Sequence, residues 1–319
     1  MYDIAIIGLG PGGATLARLL GRSFRVAAID KKGPVADGFR KPCGGLLAAD
    51  AQKALSRFNL TLPKDVLVDP QIFAVKTVDT QQNLLRHYQR FYINLDRHKF
   101  DRWLTSLIPP RVEVLEQATC TDIQKKEDGY EITYRSQGIS RQISSRWIIG
   151  ADGSNSIVRN RLFAHRKIQR YLSLQQWFPE QSVSPFYSCV FDREITDSYC
   201  WSISKDGFFI LGGAFPARDS KQRFERLKIK LREQGFVFGE PLKTEACLVS
   251  RPRRWRDFCT GEDGVFLLGE AAGFISPSSL EGISYALNSA YQLAAIINSR
   301  CKNPQRAYRR KTFPMRVKL

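Results

Sequence analysis

The sequence predicts an α/β fold: a parallel sheet carrying helices, joined to a second sheet of antiparallel strands. Three observations carry this expectation. The chain opens on a short apolar run that breaks into Gly8-Leu9-Gly10-Pro11-Gly12-Gly13 and then a helical stretch. A second apolar strand near the C-terminal end again runs into glycines and a long amphipathic segment. Between them, residues 165–250 read mostly as strands rich in aromatic side chains.

Each element has its own justification. Tyr2–Ile7 is apolar and β-branched, as a strand buried on both faces should be. Residues 14–20 have helical periodicity, and 25–29 form a second apolar strand closed by Asp30. Residues 33–50 read as a Gly/Pro-rich loop containing Arg40-Lys41-Pro42-Cys43-Gly44-Gly45, and 72–78 and 84–93 as strands. Asp96 is placed to cap a helix through Leu107, which Pro109-Pro110 ends. Strand-like runs at 111–124, 130–135 and 139–149, the first two joined near Asp128-Gly129, suggest an antiparallel meander. Strands at 186–191, 199–203, 208–215 and 243–249 and a basic helix at 219–234 fill the middle. Residues 264–268 form an apolar strand, and 280–299 one amphipathic helix with Ile283, Leu287, Ala290, Leu293 and Ile297 on its apolar face.

Composition narrows the classes. Apolar residues are 43% and charged residues 25%, which excludes a disordered or collagen-like chain. No apolar run is long enough to span a bilayer, and the N-terminus has neither a basic n-region nor a small-residue cleavage site, which points to the cytoplasm. The seven cysteines are scattered without a C-x-x-C pair, and the three histidines have no metal-ligand spacing, so neither a disulfide framework nor a metal site is expected. No G-x-S-x-G elbow supports a hydrolase. The net charge of +18 concentrates in residues 300–319, with eight basic side chains and no acidic one, and in Lys221, Arg223, Arg226, Lys228, Lys230 and Arg232. Such patches suit a solvated face or an anionic membrane surface. No nucleic-acid-binding signature accompanies them.

Gly8, Gly10 and Gly13 form G-x-G-x-x-G after a strand and before a helix, with Gly12 beside them. The first glycine permits the tight turn, the second admits a pyrophosphate to the backbone, and the third allows close helix–strand packing. Asp30, 22 positions after Gly8, is placed to accept from an adenosine ribose hydroxyl, with Lys31 next to it. The setting predicts a dinucleotide and leaves NAD and FAD open. Cys43 stands in a glycine-rich loop beside Lys41, either as a thiol activated by the neighbouring cation or as a small packing residue. Tyr199 and Trp201 alternate on a strand and point to one face, as pocket lining or as core.

Two further segments favour FAD. Gly150-Ala151-Asp152-Gly153, with Ser156, Val158 and Arg159, resembles the A-D-G-x-x-S-x-V-R pattern of flavoprotein hydroxylases. Gly269-Glu270-Ala271-Ala272-Gly273, with Pro277, Glu281, Gly282 and Ile283, resembles their second flavin segment. Together with Lys41-Pro42-Cys43-Gly44-Gly45 and Arg97-x-x-Phe100-Asp101-x-x-Leu104, the whole chain resembles the geranylgeranyl reductase family of FAD-dependent oxidoreductases.

That resemblance implies a Rossmann-type FAD-binding domain of the p-hydroxybenzoate hydroxylase-like class, roofed by an antiparallel β-sheet substrate domain. Residues 1–70, 94–164 and 251–319 are then expected to form the FAD-binding domain, and 71–93 and 165–250 the substrate domain. It implies that Arg97 pairs with the pyrophosphate, that the Ala118 backbone meets adenine, and that Asp152 approaches flavin and pyridine nucleotide. Lys41, Cys43, Gly44 and Gly45 would lie by the flavin. Glu270 stands where the family usually has an aspartate on the ribityl chain, and its extra methylene shifts that contact; Gly273 belongs to the same segment. Gly282 and Ile283 would begin a helix under the flavin pyrimidine edge, its N-terminus favouring an anionic reduced ring. Tyr199-Cys200-Trp201-Ser202-Ile203-Ser204 resembles the family's Y-x-W-x-F-P substrate motif but departs from it at Ile203 and Ser204.

The implied activity is hydride transfer from reduced flavin to a double bond of a hydrophobic, prenyl-type substrate, with Cys43, Tyr199 and Trp201 as catalytic candidates. The alternatives are a flavin-dependent monooxygenase and a non-catalytic flavin-bound protein of the cell envelope. A single dinucleotide fingerprint makes NAD(P)H, or another electron donor, a transient reductant. The expected partners are a hydrophobic small molecule or lipid and, peripherally, the anionic inner membrane surface, for a monomer or small homo-oligomer.

Overall fold

The computed structural model describes residues 1–33, 41–182 and 184–319. Residues 34–40 of the loop expected over 33–50, Arg40 included, lie outside the described residues. In chain order the first half contains β1 (Tyr2–Ile7), α1 (Pro11–Leu19), β2 (Val26–Ile29), β3 (Leu46–Leu47), α2 (Ala49–Arg57), β4 (Ile72–Asp79), β5 (Leu84–Asn94), α3 (Arg97–Ser106), β6 (Glu113–Leu115), β7 (Ala118–Lys126), β8 (Gly129–Ser136) and β9 (Ile139–Gly150). The second half contains α4 (Ile157–Leu162), β10 (Arg170–Pro179), β11 (Phe186–Phe191), β12 (Cys200–Lys205), β13 (Phe208–Pro216), α5 (Ser220–Glu233), β14 (Lys243–Ser250), β15 (Val265–Leu267), α6 (Ile283–Asn298), α7 (Pro304–Lys311) and α8 (Phe313–Lys318).

The first sheet has seven strands, in the order β6-β2-β1-β9-β8-β7, with β15 paired to β9. β1 runs parallel to β2 on one side and to the end of β9 on the other. Its alternating side chains explain its place between two cores. Ile4 and Ile6 pack with Leu16 and Leu20 around α1 and with Leu293 and Ile297 of α6. Ala5 and Ile7 pack on the other face with Ile132 and Ile148 beneath the β7-β8-β9 meander. β9 joins the parallel and antiparallel parts, because its early residues pair with β8 and its later ones with β1 and β15.

The second sheet has eight strands, in the order β14-β10-β13-β12-β11-β4-β5-β3. One face is closed by α5, whose Phe224, Leu227 and Leu231 pack on Leu174, Phe178 and Leu211. Burying each of these side chains contributes about 1.5–3 kcal/mol. The opposite face presents Tyr171, Tyr187, Tyr199, Trp201 and Ile203 to Ile275, just after the Gly269–Gly273 turn. A sheet face therefore closes over the glycine-rich ends of the first domain.

Several sequence expectations need correction. The run over 111–124 is two strands, β6 and β7, separated where Gln117 takes a left-handed φ of 50°. α2 was not expected, although Ala51, Ala54 and Leu55 carry a helical spacing on its buried side. The second sheet is not wholly antiparallel, since β4 and β11 run parallel. It also takes β3 from the 1–70 segment. α6 begins at Ile283 rather than at 280, because Leu280 has a φ of 53° and Gly282 is the cap. The basic cluster on α5 is partly neutralised, with Lys230 on Asp192 and Glu194 and Lys228 on Glu225. Among the described residues no helix is long and apolar enough to cross a membrane.

Candidate functional site

The glycine turn after β1 separates two jobs. Gly8 has a φ of +95°, and a Cβ there would meet Ala151 O at 2.7 Å; a Cβ on Gly13 would lie 1.9 Å from Gly8 O. These glycines fit the turn to the chain itself. Gly12 lets α1 approach Leu268, whose Cδ1 would stand 2.4 Å from an added Cβ. Gly10 differs, because a Cβ there would meet nothing within 4 Å. Gly10 caps α1, no side chain among the described residues makes a cap hydrogen bond there, and Pro11 occupies its first turn. Uncapped N–H groups and the positive end of the helix dipole make an anion cradle.

Asp30, buried at the end of β2, accepts from the Leu9 N–H with one oxygen and from the Lys32 N–H at 2.7 Å with the other. In this arrangement it braces the turn. Lys31 follows it and is exposed. Ala118, buried at the start of β7, donates its N–H to Asp30 O at 2.9 Å and so fixes that strand beside the turn. Lys32 Nζ donates to Leu9 O and to Asp101 Oδ2, both at 3.0 Å. Arg97 Nε donates to Asp101 Oδ1 at 2.9 Å, and Arg97 Nη1 to Cys43 Sγ at 3.5 Å. Polar contacts thus run unbroken from the glycine turn to Cys43. Burial alone would raise the Asp101 carboxyl, but Arg97 and Lys32 outweigh it and hold its pKa at about 2. Arg97 is disfavoured by burial but held above its ordinary value by Asp101.

Glu270 does not simply hang over the glycine turn. Its Oε2 pairs with Lys41 Nζ at 2.7 Å, and its Oε1 accepts from the Ser250 N–H at 2.8 Å. The longer side chain therefore ties the Lys41 segment, β14 and the Gly269–Gly273 turn together. Burial opposes the charge on Lys41, yet Glu270 raises its pKa overall.

Asp152 Oδ2 accepts from Ile157 N–H at 2.6 Å, while its Oδ1 is solvent-inaccessible and without a partner among the described residues. Burial pushes its pKa to about 6 against the pull of those N–H groups. Arg159, 3% exposed, donates to three carbonyls: Arg166 O, Ala271 O and Asp257 O. It clamps the Asp152 segment to the Glu270 segment, and Gly273 completes the turn at a φ of +87°.

The sheet roof meets these loops at Cys43. Gly45 N–H donates to Cys43 Sγ at 3.4 Å, and Gly45 takes a φ of +65°. Lys205, on the same face of β12 as Trp201, donates to Leu95 O at 2.7 Å and to Gly45 O at 3.5 Å. Burial lowers the Lys205 pKa to about 8. Trp201 packs on Gly212, and its inaccessible Nε1 has no partner among the described residues; a Cβ on Gly44 would stand 3.9 Å from that nitrogen. Tyr199 accepts from Tyr187 Oη at 3.1 Å and donates to Ser279 O at 2.7 Å. It therefore offers a ring, with its own proton committed.

Gly282 and Ile283 do open a helix, but its N-terminus is not bare. Glu281 accepts from Ser284 N–H at 2.7 Å and from Ser284 Oγ at 2.5 Å. That carboxylate answers part of the helix dipole and weakens the expected pull on an anionic ring.

Sequence reasoning missed Lys32, Lys205 and the capping role of Glu281. Asp101 sat in a quoted motif, four residues after Arg97, without being given a role. The signal for Lys205 was its alternation with Tyr199 and Trp201. The residues fit FAD: an open cradle at Gly10, the Arg97 guanidinium for a pyrophosphate, and orphaned polar atoms on Asp152 and Trp201.

The comparisons agree with that chemistry. Residues 108–234 match the family described as FAD binding domain. The chain is 52% identical over 319 residues to Protein CbrA of Escherichia coli O9:H4 (strain HS), covering 100% of this chain and 87% of that protein. In structure it is similar to a geranylgeranyl bacteriochlorophyll reductase-like protein from Thermoplasma acidophilum, with a TM-score of 0.81 at 18% identity over 100% of this chain and 84% of that one. It is similar too to PqsL, a probable FAD-dependent monooxygenase from Pseudomonas aeruginosa, with a TM-score of 0.74 at 20% identity over 99% and 93% of the two chains. At such identities these likenesses show the fold, that of the flavoprotein hydroxylases.

Proposed function

The chain belongs to the CbrA family of FAD-binding flavoproteins, and on that premise we propose that it is an oxidoreductase reducing double bonds of a hydrophobic, prenyl-type lipid. The observation that carries the reading is the apolar face of the second sheet, where Trp201, packed beside Tyr199, stands over the Cys43-Gly44-Gly45 segment. FAD, when bound, supplies two-electron hydride chemistry. The chain's own residues do the rest. Gly10 and the α1 N-terminus hold the pyrophosphate, assisted by Arg97, and Asp30 braces the turn beneath them.

Tyr199, Trp201 and Ile203 exclude water and lay an apolar chain along the roof. Cys43 Sγ, held by Gly45 N–H and Arg97 Nη1, is the thiol placed to hold a proton for the substrate. The finer likeness to geranylgeranyl reductases supports the prenyl class, and Ile203, on the roof face beside Trp201, is where this chain departs from that family's motif on the side facing the loops. NAD(P)H or another carrier serves as the transient reductant.

The test is an absorbance spectrum of the purified protein, followed by anaerobic reoxidation of the reduced protein with polyprenyl lipids. Stoichiometric flavin and lipid-dependent reoxidation are expected. Oxygen-dependent NAD(P)H consumption with a hydroxylated product would replace this reading by a monooxygenase. Colourless protein that takes up no flavin would leave a binding protein.

A further inference from the structure

Away from the glycine turn, α7, α8 and residues 255–262 surround a cavity of about 760 Å³. Its wall holds Arg166, Arg256, Arg306, Arg309 and Arg310, and the one acid in it is Glu262. No ion pair is formed by these five arginines among the described residues. This is unlike α5, where Arg226, Lys228 and Lys230 form ion pairs.

The rim is apolar where charge would be ordinary. Trp255 is 52% exposed, Phe313 50% and Val317 64%. Trp255 and Phe313 stand edge to face at 5.6 Å, and the Arg316 guanidinium lies over the Trp255 ring at 5.0 Å. Arg316 is partly committed, since its Nη2 donates to Arg309 O.

The patch is not a loose tail. Tyr308 is fully buried and donates to Leu267 O at 3.1 Å, and Lys318 pairs with Asp50 of α2 at 2.7 Å. The arginines and rings are thus presented by a fixed platform on the FAD-binding domain. Guanidinium groups suit bidentate contact with phosphate oxygens, and exposed Trp and Phe suit the boundary between headgroups and acyl chains. Juxtaposed on one rigid face, with the five cavity arginines in no ion pair among the described residues, they match an anionic bilayer rather than water.

We propose that the face made by residues 253–256, α7 and α8 docks the protein on an anionic phospholipid surface, with arginines on phosphates and Trp255, Phe313 and Val317 at the interface. It names the membrane-contacting surface for the proposed lipid reductase, yet its geometry holds whatever the reaction.

The test uses the full chain with vesicles of phosphatidylcholine alone or mixed with phosphatidylglycerol, read by co-sedimentation. Binding is expected on the mixed vesicles, to fall with added salt, and to be weak on phosphatidylcholine. Arg306→Gln, Arg309→Gln and Arg310→Gln together should weaken partitioning about a hundredfold, at roughly fivefold per cation. Trp255→Ala should weaken it with charge unchanged. Lys221→Gln with Arg223→Gln on α5 serves as the control and should retain most binding. Flavin content, melting temperature and flavin reoxidation are read on every variant, so a failed fold or a failed catalytic reading is told apart from failed docking. Equal losses in the α5 control, or no vesicle binding while inorganic phosphate protects the cavity arginines, would overturn the proposal.

Discussion

Lys41 Nζ and Glu270 Oε2 meet at 2.7 Å across 229 residues of sequence. The pair fastens a loop near the start of the chain to the turn that follows β15, and Glu270 extends the tie to Ser250 N–H on β14. Three segments are therefore registered by one carboxylate. Removing it should cost about 1.5–3 kcal/mol, nearer the lower figure because Lys41 keeps some solvent. Glu270→Gln retains an acceptor of the same length and should fall between wild type and Glu270→Ala. Thermal denaturation of the three proteins checks the order; identical midpoints for Glu270→Ala and wild type would show the tie to be idle.

Gly10 and Gly13 belong to one motif but should fail differently. A side chain at Gly10 meets no protein atom, whereas one at Gly13 collides with Gly8 O. Gly10→Val is expected to leave the fold intact and to abolish flavin uptake by filling the cradle. Gly13→Ala should distort the turn and lower the melting temperature as well. Far-UV circular dichroism and the ratio of flavin to protein absorbance separate the two. Stoichiometric flavin in Gly10→Val would place the pyrophosphate elsewhere.

The parallel core was legible because period and punctuation agree. Tyr2–Ile7, the glycine turn and the Asp96 cap over Lys99 each carry local signals strong enough to place an element. The site was legible as a set of motifs, yet not as a network. Nothing local in the sequence says that Lys32 will reach Asp101, or that Arg159 will donate to Ala271 O, 112 residues later. Those contacts arise only when the sheets close. α2 was hidden for another reason, because it is short and polar on average and follows directly on a Gly/Pro-rich stretch that reads as loop.

Asp152 makes the apo protein sensitive to mild acid in an unusual direction. Its folded pKa lies at about 6, above the ordinary 3.8, because burial disfavours the charged form. The neutral acid is thus favoured by folding. Its contribution is complete below about pH 4 and is lost as pH rises through about 6, a difference on the order of 3 kcal/mol. Asp101, depressed to about 2, acts oppositely: its contribution is present above about pH 4 and fades only toward pH 2. Asp152→Asn removes one titration and leaves the other. Its stability relative to wild type should rise between pH 4 and pH 7, in melting curves taken without flavin. Parallel curves over that range would mean that Asp152 titrates normally.

Cys43 is joined to the glycine turn through Arg97, Asp101 and Lys32, so its role is separable from that of packing. A thiol sulfur accepting at 3.4–3.5 Å is a weak partner, and its loss should disturb the loop little. Lys205 still holds Gly45 O and Leu95 O in Cys43→Ala, and Arg97 still holds Asp101. Flavin content and melting temperature are therefore expected to stay near wild type. If Sγ supplies the proton, lipid-dependent reoxidation should slow by 10²–10⁴-fold, the usual range for a positioned acid. Cys43→Ser separates the possibilities further, since a hydroxyl keeps the size but is a far weaker acid than a thiol. Slow turnover in both variants with flavin retained supports the proton role. Wild-type turnover in Cys43→Ala would reduce the residue to a filler of the loop.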